Sequence, residues 1–133
     1  MFNRIFVLVL LTLPAASARA TTPDALLRDY AAVSTPASGS QGFSADRGRA
    51  LYERKGKDWS CSSCHTADPR RAGEHAVTGK AIRPLAPSAN PERFTDATKV
   101  EKWFRRNCRD VLGRECTPLE KGDFITWLTS LSK

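Results

Sequence analysis

Two cysteines three positions apart, followed at once by a histidine, constrain this chain more than any other run: Cys61, Ser62, Ser63, Cys64, His65. On one helical turn the two thiols can add to the two vinyl groups of a single haem, which leaves the adjacent imidazole beneath the iron. The competing readings are half of a zinc site and a redox disulfide. No second CxxC or paired histidine completes a zinc cage, and a dithiol oxidoreductase is expected on a strand and helix scaffold that this sequence lacks. The motif therefore predicts one covalently bound haem c, attached at Cys61 and Cys64 and ligated on its proximal side by His65.

The start of the chain sets the compartment. Residues 1–20 carry Arg4, an apolar run from Ile5 to Leu13, a helix-breaking Pro14, and small residues at Ala18 and Ala20. This is the pattern of a cleaved secretory signal, and its apolar stretch is well short of the roughly 20 residues a spanning helix needs. Export to the periplasm is the expectation. What remains is of marginal size for a domain held by apolar burial alone, and all four cysteines lie in it. Removing Arg4 and Arg19 lowers the formal net charge from +7 to +5, and two haem propionates would lower it further. No interleaving of basic and aromatic residues marks a nucleic-acid binder.

Three segments follow from the composition: the signal over 1–20, a short helix and linker over 21–43, and the core domain over 44–133. Asp24 to Val33 places Leu27, Tyr30 and Ala31 on one face, with Thr22 near its start, an appended amphipathic helix. Ser34 to Gly42 is a linker rich in Ser, Gly and Pro. Ser44 can cap a helix bearing Gly48, Leu51 and Tyr52, with Phe43 as its staple and Gly48 admitting a close partner. Between Lys57 and Asn90 no period is sustained, so this stretch is expected to wrap the haem. A strong helical signal runs from Thr95 to Leu112 through Val100, Trp103, Phe104, Asn107, Cys108, Val111 and Leu112, and Gly113 ends it. Thr117 and Glu120 form a capping box with Pro118 at the first helical position, ahead of a stripe of Phe124, Trp127, Leu128 and Leu131. No period of two occurs anywhere. The fold is predicted to be all-α.

The far side of the iron is less determined. The sole methionine is Met1, inside the expected signal, so the sulfur ligand of ordinary electron carriers is missing. His75, a lysine, an open site and an unusual oxygen ligand all remain. His75, ten residues after His65 in a Gly-flanked polar loop, reads foremost as an exposed loop histidine. Asn107 is the odd member of its apolar stripe; an unpartnered buried amide costs about 1 to 3 kcal/mol, so iron, a backbone group or the stripe's wet edge must satisfy it. Cys108 and Cys116 are read as a disulfide, since the other two cysteines go to haem and the compartment is oxidising.

Taken together, CSSCH, RPLAPSANPERFTD, KVEKWFRRNC and LGRECTPLEKGD resemble the SHP-type (sphaeroides haem protein) cytochromes, an unusual class I cytochrome c family, over essentially the whole core domain. The resemblance implies a small class I-like helical domain around one haem, with Asn107 as distal iron ligand directly before the disulfide cysteine Cys108. The Arg83, Pro84, Leu85 stretch is similar to the proline loop of class I cytochromes c, which makes the Pro84 carbonyl a candidate acceptor for His65, alongside a plain loop-shaping role. The function it implies is electron transfer with redox-gated binding of O₂ or NO at the iron after Asn107 leaves. The alternative is a plain electron shuttle with a permanently six-coordinate haem. A peroxidase or NO-handling enzyme is a third reading, without an acid and base pair to support it. Haem proteins are the implied redox partners, a dihaem cytochrome c and a membrane cytochrome b, with Lys55 and Lys57 either as docking charges or as a solvated loop.

Overall fold

The computed structural model describes residues 20–34 and 42–131. The expected export signal, Ala20 apart, and most of the expected linker lie outside the described residues. Five helices carry the described chain: α1 (Pro23–Val33), α2 (Ala45–Glu53), α3 (Cys61–His65), α4 (Ala97–Leu112) and α5 (Pro118–Ser130). Two strands of two residues, β1 (Gly73–Glu74) and β2 (Ala81–Ile82), pair antiparallel with Gly73 opposite Ile82. The all-α expectation holds; so short a pairing leaves no alternating pattern to read.

Each long helix starts where a side-chain oxygen can take an orphan N–H. The Thr22 hydroxyl accepts from Ala25 N at 3.2 Å and Ser44 from Arg47 N at 3.3 Å. Asp96, one residue into the expected helix, accepts from Lys99 N at 3.0 Å. At α5 the reciprocal box forms, Glu120 N to Thr117 Oγ1 at 3.2 Å and Thr117 N to Glu120 Oε2 at 2.9 Å. Gly113 stops α4 in the left-handed conformation, φ 71°.

The core is organised on α5, where Asp123, Phe124, Ile125, Trp127 and Leu128 are all buried. Its main partner is α2, then α1. A Cβ on Gly48 would come within 2.1 Å of the Asp123 carbonyl oxygen and 2.9 Å of Trp127 Cβ, so only glycine permits this crossing. Tyr52 packs its ring 4.8 Å from that of Trp127. Phe104 of α4 meets Phe124 at 5.7 Å and Tyr30 at 6.4 Å, both edge-on. The face α1 buries differs from the expected one: Leu26 and Tyr30 are buried, Leu27 is half-buried and Ala31 is exposed. Leu26 and Tyr30 are one turn apart and together remove far more apolar area than Ala31 can. Both belong to the same cluster as α2 and α5, and Tyr30 Oη donates to Glu101 of α4 at 2.5 Å.

Candidate functional site

The CxxCH run forms α3, a single turn capped at Ser60, whose backbone N–H donates to Ser63 Oγ at 3.0 Å. Cys61 and Cys64 are half-buried and unbridged. Burial pushes the Cys61 thiol up to about 11, so it stays protonated at neutral pH. The β1–β2 hairpin leans on this turn. Ala76 N donates to Cys64 Sγ at 3.4 Å, and a Cβ on Gly73 would meet the Cys64 carbonyl oxygen at 2.0 Å and His65 Cα at 2.9 Å.

His65 closes the turn, and burial, helped by the Arg93 charge, lowers its pKa to about 4. A neutral imidazole is the form that ligates iron. The next residue, Thr66, has φ 64°, a left-handed conformation that a β-branched residue adopts only under constraint. Tyr52 supplies the constraint by donating its hydroxyl to the Thr66 carbonyl at 2.5 Å.

The Pro84 loop is tied to the chain just beyond His65, with Leu85 N and Ala86 N donating to the Pro69 carbonyl at 2.9 and 3.0 Å. The Pro84 carbonyl itself accepts from Asn90 Nδ2 at 3.0 Å and Arg93 Nε at 2.8 Å. Those two donors engage both lone pairs, and His65 is not among its partners in the described residues. Asn90 is buried, and its Oδ1 accepts from Arg83 Nη2 at 3.0 Å. Neither Asn90 nor Arg93 was singled out from sequence. Their only signal was two arginines bracketing a loop dense in Pro, Ala and Asn.

On α4, Val100 and Cys108 are buried while Phe104, Val111 and Leu112 are half-buried. Cys108 is joined to Cys116, with their Cα atoms 5.7 Å apart. Trp103 and Asn107 stand on one flank of the stripe. Trp103 is 46% exposed, with the Arg106 guanidinium 5.7 Å above its ring, and Asn107 is exposed. Asn107 thus stands at the wet edge of the stripe, one of the three placements open to it, with its amide available to a partner. His75 is half-buried, and its Nδ1 accepts from Val77 N and Thr78 N, each at 3.3 Å, so it closes the hairpin turn. Lys55 and Lys57 are exposed.

Two unbridged thiols on one turn, a neutral imidazole beside them, and a separate helix flank offering an amide and an indole form a donor set that fits a haem. They do not fit a protein-only metal cage: no three His, Cys, Asp or Glu side chains gather to hold a metal among the described residues. None of the described helices is long and apolar enough to cross a membrane.

Comparison with known proteins points the same way. Residues 38–128 match a family model described as a domain of unknown function, DUF1924. Over 116 residues the chain is 50% identical to the cytochrome c-type protein SHP of Cereibacter sphaeroides, covering 83% of this chain and 84% of that protein. The structure of oxidised SHP, described as an oxygen-binding cytochrome c, superposes with a TM-score of 0.73 at 46% identity, over 84% of this chain and 99% of that one. Oxidised cytochrome c″ from Methylophilus methylotrophus superposes with a TM-score of 0.74 at 38% identity, over 84% and 95%.

Proposed function

Because the chain belongs to the family of SHP and cytochrome c″ and is a monohaem c-type cytochrome, we propose that its haem site is gated by Asn107. The observation that carries the attachment is α3 itself: Cys61 and Cys64 are the free pair while Cys108 and Cys116 are bridged. When bound, the haem supplies an iron that exchanges one electron and can hold a small diatomic molecule. Cys61 and Cys64 would hold the macrocycle through thioethers, and His65 would ligate its iron. Asn107 would offer its amide oxygen as the second iron ligand, a hard neutral donor that suits ferric iron better than ferrous. Asn107 would hold the iron more weakly once it is reduced, so that the haem, when bound, would offer a position for O₂ or NO. Exposure of Asn107 at the helix flank supports this, as an amide without a side-chain hydrogen-bond partner among the described residues can leave without stranding one. The Cys108–Cys116 bridge fixes the backbone beside it, and Trp103, Phe104 and Val111 offer apolar walls. Pro84 can accept from His65 only if Asn90 or Arg93 yields a lone pair.

The bridge also supports export to the periplasm, where disulfides persist, with residues 1–20 as the signal. Electrons would come from other haem proteins, of the dihaem cytochrome c and membrane cytochrome b kinds.

The deciding experiment is optical spectroscopy of the haem-loaded protein and its Asn107→Ala variant. The substitution should change the ferric spectrum, while ferrous spectra of the two proteins should coincide. O₂ and NO should change both ferrous spectra. A ferrous wild-type protein that stays six-coordinate and ignores both gases would overturn the gate in favour of a plain shuttle.

A further inference from the structure

Three helices meet at one carboxylate. Glu101 of α4 accepts from Tyr30 Oη of α1 at 2.5 Å through Oε1, and from Lys121 Nζ of α5 at 2.6 Å through Oε2. Tyr30 is buried, and the Lys121 side chain is only 16% exposed. The Lys121 ammonium also lies 5.5 Å from the centroid of the Tyr30 ring and 5.9 Å from that of Phe104, so carboxylate and ring faces hold it together. Burial favours protonated Glu101, but the Lys121 and Tyr30 hydrogen bonds outweigh it and hold the carboxyl below its ordinary value. Just ahead of α4, Thr21 N donates to the Thr95 carbonyl at 2.9 Å, a second tie from the start of α1. Seven positions beyond Glu101, and so on the same side of α4 two turns away, Cys108 is bonded to Cys116. Between the two, Phe104 sets its ring edge-on to those of Tyr30 and Phe124. Two attachments along a rod fix its direction; one leaves it free to swing about what remains. The residue next to Cys108, on the open flank of α4, is Asn107. An appended helix that points a buried hydroxyl at α4 thereby acts on the residue α4 presents.

We propose that Tyr30, Glu101 and Lys121 form a clasp through which α1 holds α4 in the pose that lets Asn107 keep ferric iron, which makes Tyr30 a positioning residue of the gate. This rests on the Asn107 reading above. A clasp that serves stability alone is the competing role, and the test separates the two.

The probe is imidazole, titrated optically into the ferric holoprotein, where it must displace whatever Asn107 holds. Tyr30→Phe keeps the ring contacts and removes only the bond to Glu101. It should raise the apparent imidazole affinity about tenfold, the scale of one hydrogen bond to a charged group, and shift the ferric spectrum towards that of Asn107→Ala. In the Asn107→Ala background, with no amide left to displace, Tyr30→Phe should change neither quantity. Lys121→Met, which takes the other donor from Glu101, should act in the same direction and is read in its place should Tyr30→Phe fail to mature. Ser44→Ala removes the α2 cap at a comparable cost in stability and should leave the affinity at its wild-type value. Clasp variants with wild-type affinity would overturn the assignment, as would an equal gain from Ser44→Ala or an undiminished gain in the Asn107→Ala background. If Asn107→Ala itself binds imidazole no more tightly than wild type, the gate and this inference fall together; a tighter Asn107→Ala with silent clasp variants sinks this inference alone.

Discussion

Tyr52 couples the core to the turn that carries Cys61, Cys64 and His65 through one oxygen. Its ring is buried against Trp127 and Phe124, and its hydroxyl holds the Thr66 carbonyl in a backbone conformation that threonine does not favour. Tyr52→Phe keeps the packing and removes only that bond. The expected loss is about 1 kcal/mol of stability, read from urea unfolding of the holoprotein, with a small change in the ferric spectrum as the turn carrying His65 relaxes. An unaltered spectrum with the same loss of stability would make the hydroxyl a stability element and nothing more. Sequence periodicity placed Tyr52 on the buried face correctly because its ring obeys the 3.6-residue repeat. Its hydroxyl partner lies 14 residues away across a loop, and no local pattern encodes that. The same holds for Asn90 and Arg93, which donate to backbone carbonyls of a kind that every residue possesses.

At the level of elements, helix ends were readable and helix widths were not. Capping acts over three residues, so Thr22, Ser44, Thr117 and Gly113 announce themselves locally. The apolar stripe of α4 is another matter. From Val100 round to Leu112 it covers about 120° of the helix, and Trp103 lies about 60° beyond that edge. Periodicity gave the direction of the face and admitted Trp103 and Asn107 to it, although both stand on its open flank. The start of α5 yields a prediction on pH. Arg114 donates to Glu120 at 2.8 and 2.7 Å, and with the Thr117 N–H it holds that carboxyl below its ordinary value of 4.5. A depressed carboxylate stabilises the fold fully above about pH 4.5, and the contribution disappears as pH falls through the lowered value. The stability gap between wild type and Glu120→Gln should therefore be open at neutral pH and close on acidification below 4.5, followed by thermal melts across that range. Thr117→Ala should cost about 1 kcal/mol at every pH, which separates the cap from the charge.

For the whole molecule, the helices are assembled where α2 crosses α5. There Asp123, only 3% exposed, takes Ser44 N at 2.7 Å, Arg47 Nε at 2.7 Å and Arg47 Nη2 at 2.8 Å. An aspartate among Phe124, Ile125, Trp127 and Leu128 looks out of place in a hydrophobic stripe, and only the three-dimensional crossing supplies its partner 76 positions earlier. The two ends of the pair are not equivalent. Arg47 is 39% exposed and also donates to the Gly42 carbonyl at 2.8 Å, so losing Asp123 leaves it a route to water. Losing Arg47 leaves a buried carboxylate with one remaining N–H donor. Breaking a buried pair in that sense costs about 3 kcal/mol or more, whereas Asp123→Ala should cost about 1 to 2 kcal/mol. Arg47→Ala should thus be the more destabilising single substitution, and the double substitution should be more stable than Arg47→Ala alone, because it removes the stranded charge. Urea midpoints measured on haem-loaded proteins with unchanged m-values test the order; equal losses, or a double variant worse than both singles, would place the stability of the crossing in packing at Gly48 instead of in this ion pair.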